Sequence, residues 1–322
     1  MLSSCTKEQS LPQDEGLDAT IMITAGTRAE SFDPEDSYIN SLRVLGYYSS
    51  NGKLAFNEKV TGFTANAIEV SKTITVKTGN FIIVVIANEH SDGSNPTDLS
   101  ALLDKIDKDD AATNTMTYLT GLSFSHEAFS STKDIPMVSV NENVAIYDNN
   151  TLVSNGMAYS TLPVVLERLA VRIDLTLQLF GPQVTAWQSG AHDGKVYFNN
   201  VPDKVYIIGG TDNSNNLLVN NEKFVTPVAG ADIGTTKIFT SSRIILPESC
   251  LAELTESRAL TIELYEGPTL RKGILQTGVG DYGYTLLRNS YFGITTGIGE
   301  LSLTFDVNVI DWEDENMNHE LQ

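Results

Sequence analysis

The sequence predicts a mainly β protein, two successive β-sandwich domains with a short helix in the first. Three observations carry that prediction. Apolar residues recur with period two along most of the chain, the pattern of half-buried strands. Turn signals punctuate the pattern about every 8–12 residues, as in sandwiches. The length of 322 residues suits two domains at roughly 100–200 residues each.

The elements follow in order. Thr6 to Asp18 is polar, with Pro12, Gly16 and four acids, and reads as a flexible tether. Ala19 to Thr24 is a short alternating strand with Ile21 and Ile23 on one face. Ile39 to Tyr48 is a second strand, ending at the turn signal Asn51-Gly52, with Leu54 and Phe56 opening the return. Ile68 to Val76 alternates through Val70, Ile74 and Val76; Thr78 to Asn80 turns the chain. Phe81 to Ala87 is apolar on both faces and predicts a central strand. Asn95 to Asp98 then supplies a cap and an early proline, and Leu99, Leu102, Leu103 and Ile106 follow at helical spacing. Asp107 to Asp110 lacks the spacing of a calcium loop and reads as a solvated face.

A second unit begins near Leu162-Pro163, so the expected division is a tether over 1–18 and domains over 19–162 and 163–322. Val164 to Leu175 enters it. Val196 to Phe198, Val205 to Ile208 and Leu260 to Leu264 are further strands, with loops over Asp212–Asn216 and Pro227–Gly234. The last strand alternates most cleanly: Leu301, Leu303, Phe305, Val307 and Val309 face one way, ahead of Asp311-Trp312 and an acidic tail. Nine residues span roughly 30 Å, and burying five such side chains gains on the order of 10 kcal/mol before ordering costs.

Composition narrows the function classes. There are 41 acidic against 21 basic residues, a net charge of −20, which argues against a nucleic-acid partner. The longest apolar run has seven residues, Phe81 to Ala87, too short for a membrane helix. Two cysteines, Cys5 and Cys250, make neither a disulfide framework nor a zinc site, and four histidines are scattered without ligand spacing. No G-x-S-x-G, P-loop, H-E-x-x-H or dinucleotide fingerprint is present. No catalytic residue, metal or cofactor is therefore expected. Tyr47, Tyr48, Trp187 and Trp312 could be sugar-stacking platforms, but strand packing is the preferred reading.

The N-terminus adds an address. Leu2-Ser3-Ser4-Cys5 has the form of a lipobox, an apolar residue and two small ones before a cysteine that takes lipid. A lipobox follows an apolar segment, which is expected to lie upstream of Met1. The loop after the first strand, Gly26 to Pro34, is small and polar around Arg28, the kind of segment proteases cut.

By the order and spacing of these pieces the sequence resembles the FimA/Mfa-type fimbrillins, subunits of type V pili in Bacteroidota. The lipobox cysteine, acidic tether and Ala19 to Ile23 look like the family's N-terminus and first strand. Thr27 to Glu30 looks like its arginine-specific processing site. Ile39 to Leu45 and Val85 to Glu89 are similar to its second strand and its "V-x-A-N" strand. Glu167 to Arg172 resembles the domain-opening segment, Val201 to Tyr206 a "V-P-x-K-x-Y" strand, and Arg288 to Tyr291 with Val307 to Trp312 the closing pair. Ser290 departs from the family, which commonly has histidine there.

The resemblance implies two transthyretin-like domains and lipidation at Cys5, giving an outer-membrane lipoprotein precursor anchored by lipid. It implies proteolysis between Arg28 and Ala29, loss of the strand holding Ile21 and Ile23, and polymerisation into a surface fimbria by strand exchange. Leu301 to Val309 would be the donor strand, and the partners would be other pilin subunits, of its own or accessory kinds. The alternative is a lipid-anchored adhesin, or a tip or anchor subunit, binding glycan or protein; a secreted hydrolase has no constellation to support it.

Overall fold

The computed structural model describes residues 16–27, 34–89, 99–129, 134–148, 151–189, 194–209, 217–218, 221–224, 226–227, 235–249, 256–277, 283–298 and 303–311. Mainly β structure is what the alternation predicts and what the chain adopts.

In the first half the strands are β1 (Asp18–Gly26), β2 (Leu42–Tyr48), β3 (Leu54–Val60), β4 (Glu69–Lys77), β5 (Gly79–Ala87), β6 (Ser123–Ser125), β7 (Met137–Ile146), β8 (Leu152–Ser154), β9 (Met157–Tyr159), β10 (Thr161–Val165) and β11 (Glu167–Arg168). They build a small sheet in the order β10-β1-β4 and a larger one in the order β3-β2-β5-β7-β8-β9, with β11 on β7. β5 lies between β2 and β7, as its two apolar faces predict. The turn Asn51-Gly52 joins β2 to β3. Gly52 takes φ +65°, and its N–H donates to the Tyr48 carbonyl at 2.8 Å.

The two sheets enclose one core. Ile21 and Ile23 of β1, Ile74 of β4 and Leu162 of β10 meet Leu42, Val44, Phe81, Ile83, Val85 and Met137 of the larger sheet. The other face of that sheet, with Leu45, Val84 and Ile86, is covered by α1 (Leu99–Asp104), α2 (Met116–Thr120) and the strand β6. Leu99 and Leu103 are buried as their spacing predicts; the helix stops at Asp104, and Ile106 is buried from the turn beyond it. The cap residues 95–98 lie outside the described residues.

The second half holds β12 (Ala170–Phe180), α3 (Gly181–Trp187), β13 (Lys195–Asn199), β14 (Val201–Pro202), β15 (Lys204–Tyr206), β16 (Leu217–Leu218), β17 (Asn221–Phe224), β18 (Thr226–Pro227), β19 (Thr236–Pro247), β20 (Thr261–Glu266), β21 (Thr269–Ile274), β22 (Ser290–Ile298) and β23 (Leu303–Asp311). One sheet runs β18-β19-β12-β22-β23 and another β17-β13-β20-β21. Between them lies a core including Val171, Ile173, Leu175, Trp187, Phe198, Ile262 and Phe292.

The expected boundary at 162/163 falls inside β10, which pairs with β1 as far as Val165, and β11 still pairs with β7. Strand pairing changes from one sheet system to the other between Arg168 and Ala170. The halves are also stitched together, because β15 pairs with β6 and Ile207 donates its N–H to the Leu122 carbonyl at 3.0 Å.

Candidate functional site

β1 occupies the middle of its sheet. It runs antiparallel to β4 over nine residue pairs, Asp18↔Lys77 to Gly26↔Glu69, and parallel to β10 from Met22↔Thr161 to Gly26↔Val165. Alternation sends Ala19, Ile21, Ile23 and Ala25 into the core at 2%, 1%, 1% and 0% exposure. Thr20, Met22 and Thr24 face outward, and the Thr24 hydroxyl meets that of Ser71 at 2.7 Å. Among the described residues β10 pairs with no strand but β1. Taking β1 out would break two ladders and leave β10 without a strand partner among the described residues.

The expected donor strand is placed too. β23 forms an edge of its own sheet, paired with β22 from Ser290↔Asp311 to Ile298↔Leu303. Its apolar row points inward, but only Leu303 is fully buried; Phe305 and Val307 are half-buried and Val309 is exposed. Phe305 lies over Gly273 of β21, so closely that a Cβ there would sit 2.2 Å from the ring. The strand is therefore seated in its own half along a shallow, partly open contact. Cys5, Arg28, Ala29 and Leu301 lie outside the described residues.

The three described aromatics among those expected to pack do so. Tyr47 and Trp187 are buried, and Tyr48 rests on Phe81 with ring centroids 5.2 Å apart. Burial pushes the Tyr47 hydroxyl well above its ordinary pKa. Trp312 lies outside the described residues. Asp107 to Asp110 is exposed, and the Asp107 and Asp110 carboxylates accept the backbone N–H groups of Asp109 and Ala112.

Two buried ionic clusters escaped the sequence reading. Under α1, Arg43 of β2 donates to Glu89 at 2.7 and 3.2 Å, to Asn57 at 3.0 Å and to Asp104. Lys59 pairs with Glu89 at 2.9 Å, and Ser100 donates to the same oxygen at 3.0 Å. Burial alone would push the Glu89 carboxyl up, but Arg43 and Lys59 outweigh it and hold it below its ordinary value of 4.5. Since the folded-state pKa is the lower one, Glu89 stabilises the fold above that value, and the contribution drains away as pH falls through the folded one. Urea melts between pH 3 and 6 will show stability falling on the acid side. Glu89→Gln will be less stable at pH 6 and flatter across the window; parallel curves would show that Glu89 does not carry the acid response.

The second cluster joins the halves. The turn Pro34–Ser37 carries Asp36 at 0% exposure. Its carboxylate accepts from Arg172 at 2.8 Å and from Arg243 at 2.8 and 2.7 Å, and its carbonyl from Arg168 at 2.9 Å. Arg168 also reaches Ser37 at 3.0 Å and Asn289 at 2.8 Å, and Arg243 pairs with Glu35 at 2.9 Å. Period two in β12 turns Val171 and Ile173 into the core and Arg172 and Asp174 the other way. The β12–β19 register shifts at this point. Arg243 takes φ +61° with its N–H on Asp174 at 2.6 Å, which aims its side chain at Asp36. Arg168 at the end of β11 and Arg172 within β12, each flanked by apolar residues such as Leu169, Val171 and Ile173, were the available signal.

Comparison with known proteins places this architecture. None of the curated proteins matches the chain. Residues 18–168 match the family described as "Major fimbrial subunit protein (FimA)". Among solved structures, the tip fimbrial protein Mfa3 from Porphyromonas gingivalis superposes with a TM-score of 0.59 at 13% identity, covering 92% of this chain and 100% of that one. A fimbrilin (FimA) from Porphyromonas gingivalis W83 superposes at 0.54 with 15% identity, over 93% and 99% of the two chains. A fimbrial assembly protein from Parabacteroides distasonis gives 0.50 at 8% identity, over 93% and 97%. At these identities the likeness is one of fold. The family match runs from the first residue of β1 to Arg168, where the first sheet system ends.

Proposed function

We propose that this chain is a structural subunit of a type V fimbria, working in cell adhesion. It is exported as a lipoprotein acylated at Cys5, anchored in the outer membrane as a precursor, cut between Arg28 and Ala29, and polymerised by strand exchange at the cell surface. Its two units are tandem transthyretin-like sandwiches divided near Leu169. The observation that carries this reading is β1, an alternating strand paired on both edges, with its whole inner row in the core and Arg28 two positions past its last residue in the sequence. A strand of that kind can be replaced by any chain of matching period, since the ladder bonds belong to the backbone. β23, at a sheet edge with a shallow inner contact, is the segment such a subunit would pass to a neighbour. The burial of Tyr47 and Trp187 removes two candidate sugar platforms and so favours the structural role over the adhesin.

Limited trypsin treatment will cut first after Arg28, and N-terminal sequencing of the stable fragment will begin at Ala29. A first cut within either sheet system would count against the processing site. Immunogold electron microscopy on the native cells, with antibody to this chain, will label filaments. Label confined to the membrane would favour the lipid-anchored adhesin instead.

A further inference from the structure

We infer that the slot held by β1 selects by side-chain size at its two ends, and that it takes a strand from a different kind of subunit, not β23 of a second copy. The inference rests on the reading that β1 is exchangeable.

The inner row of β1 reads small, large, large, small: Ala19, Ile21, Ile23, Ala25, all at 2% exposure or less. Ala19 lies opposite Val76 on β4. Ala25 lies between Val70 on β4 and Val164 on β10. These positions belong to one close-packed core, where a site filled by a methyl group does not admit an isobutyl or benzyl group without displacement. Along the inner row the slot is thus wide in the middle, where it holds two isoleucines, and narrow at both ends, where it holds two alanines.

The inner row of the expected donor is large throughout: Leu301, Leu303, Phe305, Val307, Val309. Only even shifts keep that row facing the core. Seating Leu303 at the Ala19 position puts Phe305 and Val307 on the isoleucine positions and Val309 on Ala25. Shifting by two one way puts Leu301 and Val307 on the alanines. Shifting the other way puts Phe305 on Ala19 and Asp311, a charge, on Ala25. Bringing Gly299 to Ala19 leaves Phe305 on Ala25. Because the slot's own pattern is symmetric end to end, reversing the strand rescues none of these. The occupant that fits has alanine, glycine or serine at both ends of a four-residue inner row, and two branched aliphatic residues between them.

The test uses the full chain nicked after Arg28, with fluorescein-labelled peptides as probes of the slot. A peptide of residues 18–26 will exchange into the nicked protein. A peptide of residues 301–311 will bind about 10- to 100-fold more weakly. The same peptide with Leu303→Ala and Val309→Ala will recover most of that difference. Nicked protein alone will remain monomeric by size-exclusion chromatography. Equal binding of the native 301–311 peptide, no gain from the alanine pair, or ladders of nicked protein alone would each overturn the selectivity while leaving the slot reading in place. Failure of the 18–26 peptide to exchange would overturn the slot reading and the selectivity with it.

Discussion

Replacing Asp36 by alanine will cost about 3–5 kcal/mol of folding stability, the range for removing one partner from a buried ion pair. The reason is asymmetry. Assembling buried charges yields little net stability, because desolvation consumes most of the Coulomb gain. Removing the one carboxylate at the centre strands what surrounds it. Arg172 keeps Asp174 at 3.2 Å, and Arg243 keeps Glu35, itself 36% exposed, at 2.9 Å, both nearer the surface than the buried Asp36. The Arg168 bond to the Asp36 carbonyl survives the substitution, so the turn can stay in place while its charge is gone. Asp36→Asn keeps the shape and some hydrogen bonding and will fall between wild type and alanine. Urea denaturation with two probes checks this, and the probes add information. Asp36 comes from the first half of the chain and its arginines from the second. A weakened junction should therefore split one cooperative transition into two. A loss under about 1 kcal/mol would mean the arginines satisfy each other's needs through Glu35, Asp174 and water.

That cluster also shows where the sequence stopped being readable. Local pattern revealed β1, the central β5, the helix at Leu99 and the alternation of β23, because each is set by spacing within a dozen residues. The sequence reading passed over β7, the hairpin of β8 and β9, the short helices α2 and α3, and the long strand β19. The helices have only five and seven residues, too few for helical periodicity to declare itself. The middle of β19, Thr240-Ser241-Ser242-Arg243, is polar where an unbroken strand would alternate, because the register shifts there. The junction was illegible for a different reason. Asp36 and Arg243 are more than two hundred positions apart, and they meet only because a shift in β19 aims one side chain at a turn in the other half. The slot was half legible: alternation picked out Ile21 and Ile23, whereas the constriction at Ala19 and Ala25 emerges only once β4, β10 and the facing sheet close around them.

The isoleucines give the last expected result. Ile21→Ala together with Ile23→Ala will cost about 4–10 kcal/mol, summing two buried large-to-small changes. That is most of the 5–15 kcal/mol that holds a typical domain folded, so the pair will unfold or nearly unfold the intact chain. The valine pair is the informative one, at about 1–3 kcal/mol for two methyl groups removed. In the uncut chain β1 is tethered, so it re-enters its slot at high effective concentration and the valine variant will behave almost as wild type. Once the chain is cut after Arg28 the tether is gone. The strand then leaves at a rate set by its own contacts, and the same 1–3 kcal/mol becomes about a 5- to 150-fold faster release. Mass spectrometry of the released fragment ending at Arg28, over a time course after nicking, measures that rate. A wild-type release rate in the valine pair would show that the strand is held by its ladders alone, and that side-chain fit neither gates its departure nor chooses what replaces it.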